Sequence, residues 1–109
     1  TLDEVEQKLN TLLGTRVRLF PYGGDVIRRV GAVSGGSAMF LQQAVREGLD
    51  LFIGGEAGEF TQELAREAGV HVVTGGHYNT ETLGVKALGK VIEKKFGIET
   101  IFIDIPNPV

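Results

Sequence analysis

Three junctions in this chain each carry a Gly-Gly pair: Gly35-Gly36, Gly54-Gly55 and Gly75-Gly76. Each pair follows a short apolar run and precedes apolar residues at helical spacing, which is the rhythm of consecutive βα units. The first unit reads as a strand at 26–33, a loop Ser34-Gly35-Gly36-Ser37, and a helix at 38–47 facing inward through Phe40, Leu41, Ala44 and Val45. The second has a strand at 49–53, a loop at 54–59, and a helix at 60–68 with Phe60, Leu64 and Ala65 inward. The third has a strand at 70–73, a loop at 74–80, and a helix at 81–96 with Leu83, Ala87, Leu88, Val91 and Ile92 inward. Gly48, Gly69 and Gly97 each fall where a left-handed residue would close a helix. Parallel strands would bring all three Gly-Gly loops to the carboxyl edge of one sheet, where α/β proteins place ligands. The alternative is that these glycines only permit tight turns.

The ends complete the pattern. Thr1 and Glu4 have capping-box spacing, Leu2, Val5 and Leu9 form one stripe running on to Leu12 or Leu13, and Gly14 suits the end of that helix. Residues 16–20 (Arg-Val-Arg-Leu-Phe) alternate like a half-buried strand before a Pro21-Tyr-Gly-Gly24 turn. Residues 100–105 read as a last strand, stopped by Pro106-Asn-Pro-Val109. The whole is expected to be a single α/β domain over 1–109, in three layers, with a mixed, mostly parallel sheet flanked by helices. The last four strands are expected to be largely parallel, and 16–20 an antiparallel edge.

Composition removes several kinds of chemistry. With 109 residues the chain has the size of one domain. It has no cysteine, which excludes disulfides, thiolate zinc sites and cysteine nucleophiles. The formal charge is -3, and no run of Lys or Arg exceeds the pairs Arg28-Arg29 and Lys94-Lys95, so nucleic-acid binding by broad phosphate neutralisation is disfavoured. No apolar run approaches the ~18 residues of a membrane span, and no signal peptide is expected ahead of the first helix. The expected location is cytoplasmic. Thr1 in place of Met is consistent with a processed product or an excerpt of a longer chain.

Chemistry concentrates in Gly75-Gly-His-Tyr-Asn-Thr-Glu81. His77 leaves a strand end and Glu81 lies in the first turn of the following helix, with Asn79 or Thr80 as its N-cap. An imidazole and a carboxylate converging there would form half a site for a divalent Zn, Mn or Fe ion. Alternatively Glu81 complements the helix dipole and His77 is a loop residue. Three or four ligands are usual. Glu56 or Glu59 could approach His77, although helix-start carboxylates are the simpler reading of both. His71 reads as structural. Asp104 is a candidate to support a ligand, or else a solvated or turn-bonded carboxylate. Ser34, Gly35, Gly36 and Ser37 could receive a phosphate through amides and hydroxyls, although no P-loop lysine follows.

Four segments together resemble the GTP cyclohydrolase I type 2 homologue family, the NIF-three-like dinuclear-metal proteins. They are Val33-Ser-Gly-Gly-Ser37, Leu51-Phe-Ile-Gly-Gly-Glu56, Gly76-His-Tyr-Asn-Thr-Glu81 and Phe102-Ile-Asp-Ile-Pro-Asn-Pro108. The resemblance runs from about Asp25 to the C-terminus and is to the C-terminal portion of the family's longer chain. It departs at Gly54, where relatives often have Thr. The resemblance implies a two-metal centre in a toroidal homo-oligomer, commonly a hexamer, with His77 and Glu81 as metal ligands. The family's remaining ligands, a His-His pair and an Asp, belong to its N-terminal half, and no His-His pair occurs here.

The expected function is that of a metal-binding domain of a metal-dependent hydrolase acting on a nucleotide or phosphoester. There a bound ion would lower the pKa of a bridging water. The alternative is a non-enzymatic oligomeric interaction or scaffold module. A third reading is a domain that binds a phosphate ligand without turnover.

Overall fold

A computed structural model describes all 109 residues. Helix α1 (Leu2–Leu13) opens on a complete capping box between Thr1 and Glu4 and closes on Gly14 in the left-handed region. Strands β1 (Arg18–Pro21), β2 (Val30–Val33), β3 (Leu51–Gly54) and β4 (His71–Thr74) form one sheet in the order β1-β4-β3-β2. Strands β2, β3 and β4 are mutually parallel, while β1 runs antiparallel to β4 at the sheet edge. Helix α2 (Leu41–Arg46), helix α3 (Thr61–Ala68) and helix α4 (His77–Phe96) follow β2, β3 and β4 in turn. The α/β class and the antiparallel edge agree with the sequence reading, although the edge strand runs over 18–21 rather than 16–20 and takes in Pro21, expected in the turn.

Period-two alternation splits the strands between two cores. On one face Phe20, Phe52 and Val72 pack with Leu41 and Ala44 of α2 and Ala65 of α3. On the other, Val17, Leu51 and Val73 pack under Leu2, Val5, Leu9 and Leu13 of α1. The result is three layers. Because the central strands are parallel, all three Gly-Gly loops leave the same edge, and hydrogen bonds stitch them together. The Gly55 N–H donates to Ser37 Oγ (2.8 Å), Gly75 N–H to the Gly54 carbonyl (3.0 Å) and Gly76 N–H to the Gly55 carbonyl (2.9 Å).

Several expectations need correction. Residues 100–105 form no strand. They lie beside α4, where Thr100 donates from its amide and hydroxyl to Glu93 (3.0 and 2.8 Å) and Lys86 sits over the Phe102 ring. A strand needs a neighbour to pair its amides and carbonyls, and these residues pair with none, so only three strands are parallel. The strand expected at 26–33 is shortened to its last four residues because one Asp50 oxygen takes the Arg28 and Arg29 amides (2.8 Å each) away from any ladder. Backbone bonding to that carboxylate also lowers the pKa of Asp50. The helix expected at 38–47 begins as a 3-10 turn, Ala38–Phe40, and the next starts at Thr61. Phe40 and Phe60 are substantially exposed, and it is Thr61 that is buried.

The largest difference is α4. It starts at His77, four residues earlier than expected, with Gly76 rather than Asn79 or Thr80 at its N-cap. None of its residues is buried, and Leu88 and Val91, expected to face inward, are more than half exposed.

Candidate metal centre

His77 occupies the first position of α4, directly after the Gly75-Gly76 break, and Glu81 lies one turn further on the same face. The two side chains meet: His77 Nε2 is 3.5 Å from Glu81 Oε1. On the other side of the ring, His77 Nδ1 is 2.5 Å from Glu56 Oε1, in the loop after β3. A carboxylate only accepts, so Nδ1 carries the proton of that bond. In the neutral ring the lone pair is then on Nε2, the nitrogen that faces Glu81. The bond to Glu56, reinforced by the charges of Glu56 and Glu81, raises the His77 pKa above its ordinary value of 6.5.

The Gly35 loop presses on this arrangement from above. Gly35 has φ 65°, and a Cβ there would overlap the Glu81 carboxylate and crowd His77 Nε2. A Cβ on Gly55 would run into the Gly35 backbone. The Gly35 N–H donates to Thr80 Oγ1 (3.0 Å), which itself donates to the Gly76 carbonyl (2.9 Å). Glycine is therefore needed at 35 and 55 for close approach to the His77–Glu81 pair.

The other candidates separate clearly. Ser37 is fully buried, with its hydroxyl accepting from Gly55 and its amide donating to the Gly35 carbonyl (2.8 Å). With the Gly35 amide also engaged, Ser34 and the Gly36 amide are what this loop retains for an outside ligand. His71 is buried between β1 and β3, far from His77 in register, with Nδ1 accepting from Gly23 N–H (3.1 Å) and Nε2 meeting the Gly24 carbonyl (2.9 Å). It is a clasp on the Gly23-Gly24 turn. Glu59 does not reach His77. Asp104 accepts from the Tyr78 hydroxyl, which in turn accepts from the Ile105 amide (3.1 Å). That carboxylate raises the Tyr78 pKa, and the bond ties the C-terminal segment to the residue beside His77. Glu56 is the residue for which the simpler sequence reading fails. Its only signal in the sequence is membership of a neighbouring Gly-Gly loop.

With ligand bonds of roughly 2.0–2.2 Å for zinc, two donor atoms 3.5 Å apart can share one ion. A carboxylate on the far ring nitrogen is the usual support for a ligating histidine. Three or four protein ligands are usual, and no group of three or more His, Asp and Glu residues in this chain is arranged to hold an ion. The residues present fit part of a metal site.

The profile of the Duf34/NIF3 family (NGG1p interacting factor 3) matches residues 1–108. The chain is 41% identical over 107 residues to a GTP cyclohydrolase 1 type 2 homolog of Treponema pallidum, covering 98% of this chain and 37% of that protein. It is 46% identical over 91 residues to the homolog of Pyrococcus abyssi, covering 84% and 36%. The crystal structure of TTHA1606 from Thermus thermophilus superposes with a TM-score of 0.89 at 34% identity, covering 97% of this chain and 43% of that one. The chain thus spans well under half the length of the relatives it matches.

Proposed function

This chain belongs to the Duf34/NIF3 family, and on that premise we propose that it is the metal-binding part of a metal-dependent hydrolase acting on a nucleotide or phosphoester. The observation that carries the reading is the ordered series Glu56–His77–Glu81, at 2.5 and 3.5 Å. His77 Nε2 and Glu81 would hold a divalent ion such as Zn, Mn or Fe, and Glu56 would orient the imidazole. A bound ion would supply a water of lowered pKa and a Lewis acid for a phosphoryl or carbonyl oxygen. The other ligands, and a second ion, would come from outside these 109 residues. Ser34 and the Gly36 amide lie on the loop over Glu81 and His77 and are available to substrate.

Metal content tests this. The His77→Ala protein, in its complete assembly, is expected to lose metal by elemental analysis along with phosphoester turnover. Unchanged occupancy would end the reading.

A second reading, an assembly module in which surfaces matter more than turnover, draws on the apolar side chains exposed along α4 and the C-terminal segment. A homo-oligomer, hexameric by family resemblance, is proposed under either reading, and light scattering measures it. No helix is long and apolar enough to cross a membrane.

A further inference from the structure

Strand β1 runs antiparallel to β4, so it is the beginning of β1 that reaches the Gly-Gly edge of the sheet. Arg18 pairs in register with Thr74, the last residue of β4 before Gly75-Gly76. Arg16 and Arg18 both line a cleft of about 540 Å³ there, shared with Glu56, Thr74, Gly76 and Asn79. The cleft therefore borders the candidate metal centre through Glu56 itself, the partner of His77.

Neither guanidinium is neutralised within the chain. Arg29, Arg46 and Arg66 each donate to an oxygen of their own surroundings. All ion pairs lie elsewhere, and Arg16 and Arg18 enter none. The Arg18 guanidinium is stacked over the Phe20 ring at 5.1 Å, between the cleft and a second hollow that Phe20 lines, and the stacking uses none of its donors. Of the carboxylates nearby, Glu56 is engaged by His77. Glu59 shares a second hollow with Arg18 but lies beyond ion-pair distance. At the cleft rim the Tyr78 amide donates to the Val109 main-chain oxygen (3.1 Å).

We propose that Arg16 and Arg18 form an anion-recognition site for a phosphate group carried by the substrate of the neighbouring metal centre. Two planar guanidinium forks without partners suit a phosphate, which each can grip through paired N–H bonds. The cleft is open and mostly polar, with room for a phosphate group. The pair also supplies what the Ser34–Ser37 loop lacks, which is positive charge. The assignment deepens the hydrolase reading and rests on it for the link to chemistry, but its test is independent of metal.

Titration of metal-free protein with inorganic phosphate and with adenosine monophosphate, followed by calorimetry, decides the matter. Saturable binding of either probe is expected, weakening as salt rises. The double variant Arg16→Gln/Arg18→Gln should bind at least tenfold more weakly while keeping wild-type metal content. His77→Ala should bind phosphate as wild type does while losing metal. Tighter binding of the nucleotide supports a phosphate carried by a substrate, and tighter binding of inorganic phosphate would overturn that assignment. Both arginines are exposed, so circular dichroism should show the double variant folded, and Arg16→Lys/Arg18→Lys keeps the charge while removing the forks. Absence of saturable binding, or a double variant that binds as tightly as wild type, overturns the proposal and leaves the metal reading standing.

Discussion

Residues before Gly76 and residues after it obey different rules. All 18 buried residues lie in the first part, where two apolar clusters close over the sheet. From Gly76 onward none is buried, although Val85, Leu88, Val91, Ile101, Ile103 and Ile105 are as apolar as anything in the core. The first part closes a core, although Val26, Val30, Met39 and Phe40 stay exposed, whereas the second leaves its apolar side chains uncovered by the rest of the chain. His77 sits on the seam. Its backbone begins the exposed helix, while its imidazole is fixed by Glu56, a residue of the closed part.

The sharpest contrast should come from truncating equal side chains on the two sides. Leu51→Ala, in a fully buried position, is expected to destabilise by about 2–5 kcal/mol. Leu88→Ala, more than half exposed on α4, should stay within roughly 0.5 kcal/mol. Urea unfolding of the chain measures both, and similar losses would erase the division.

Glycine gives a smaller effect of opposite sign. Gly55→Ala forces a methyl into the Gly35 backbone and should cost about 1–3 kcal/mol, as overpacking does. Gly84→Ala, inside α4 with nothing near its Cβ position, should stabilise by up to about 1 kcal/mol through helix propensity. Thermal unfolding with matched signs for the two variants would contradict this.

The gentlest probe is electrostatic and acts at the seam itself. Glu56 raises the His77 pKa, so Glu56→Gln should move the His77 titration to lower pH in NMR spectra. Because the folded-state value is the higher one, the stabilising contribution is present in full below the ordinary pKa of about 6.5. It fades as pH rises through the folded value. The stability gap between wild type and Glu56→Gln is therefore expected to be widest near pH 5–6 and to close in alkali. A gap that widens with pH would mean that the ring is held by something other than Glu56.

What can be read in the chain follows the same division. The βα rhythm, the antiparallel 16–20 edge and the capping of α1 are local patterns, and each has its counterpart in the fold. Left-handed Gly48, Gly69 and Gly97 are likewise where the spacing puts them. Residues 100–105 and the inward stripe of α4 depart from the sequence reading for one reason. Periodicity reports that a face wants burial, not whether a partner exists in the same chain. The early start of α4 is hidden because Asn79 and Thr80 look like caps. In the fold Thr80 instead receives the Gly35 amide, a contact between loops distant in sequence. The sequence leaves the Glu56–His77 bond as one of several alternatives, with Glu59 equally placed, since which Gly-Gly loop neighbours which depends on strand order. Arg16 and Arg18 read as the outward residues of an edge strand until its direction places them beside the Gly75-Gly76 loop.

Substoichiometric Mn²⁺ added to this chain, with NMR detection of its two histidines, tests the joint claim on His77 and Glu81 most directly. Selective broadening of the His77 ring signals, with those of His71 sharp and the effect reduced at least tenfold in Glu81→Gln, is the result expected. Equal broadening of both rings, or broadening of His77 that Glu81→Gln leaves untouched, would contradict a shared ion.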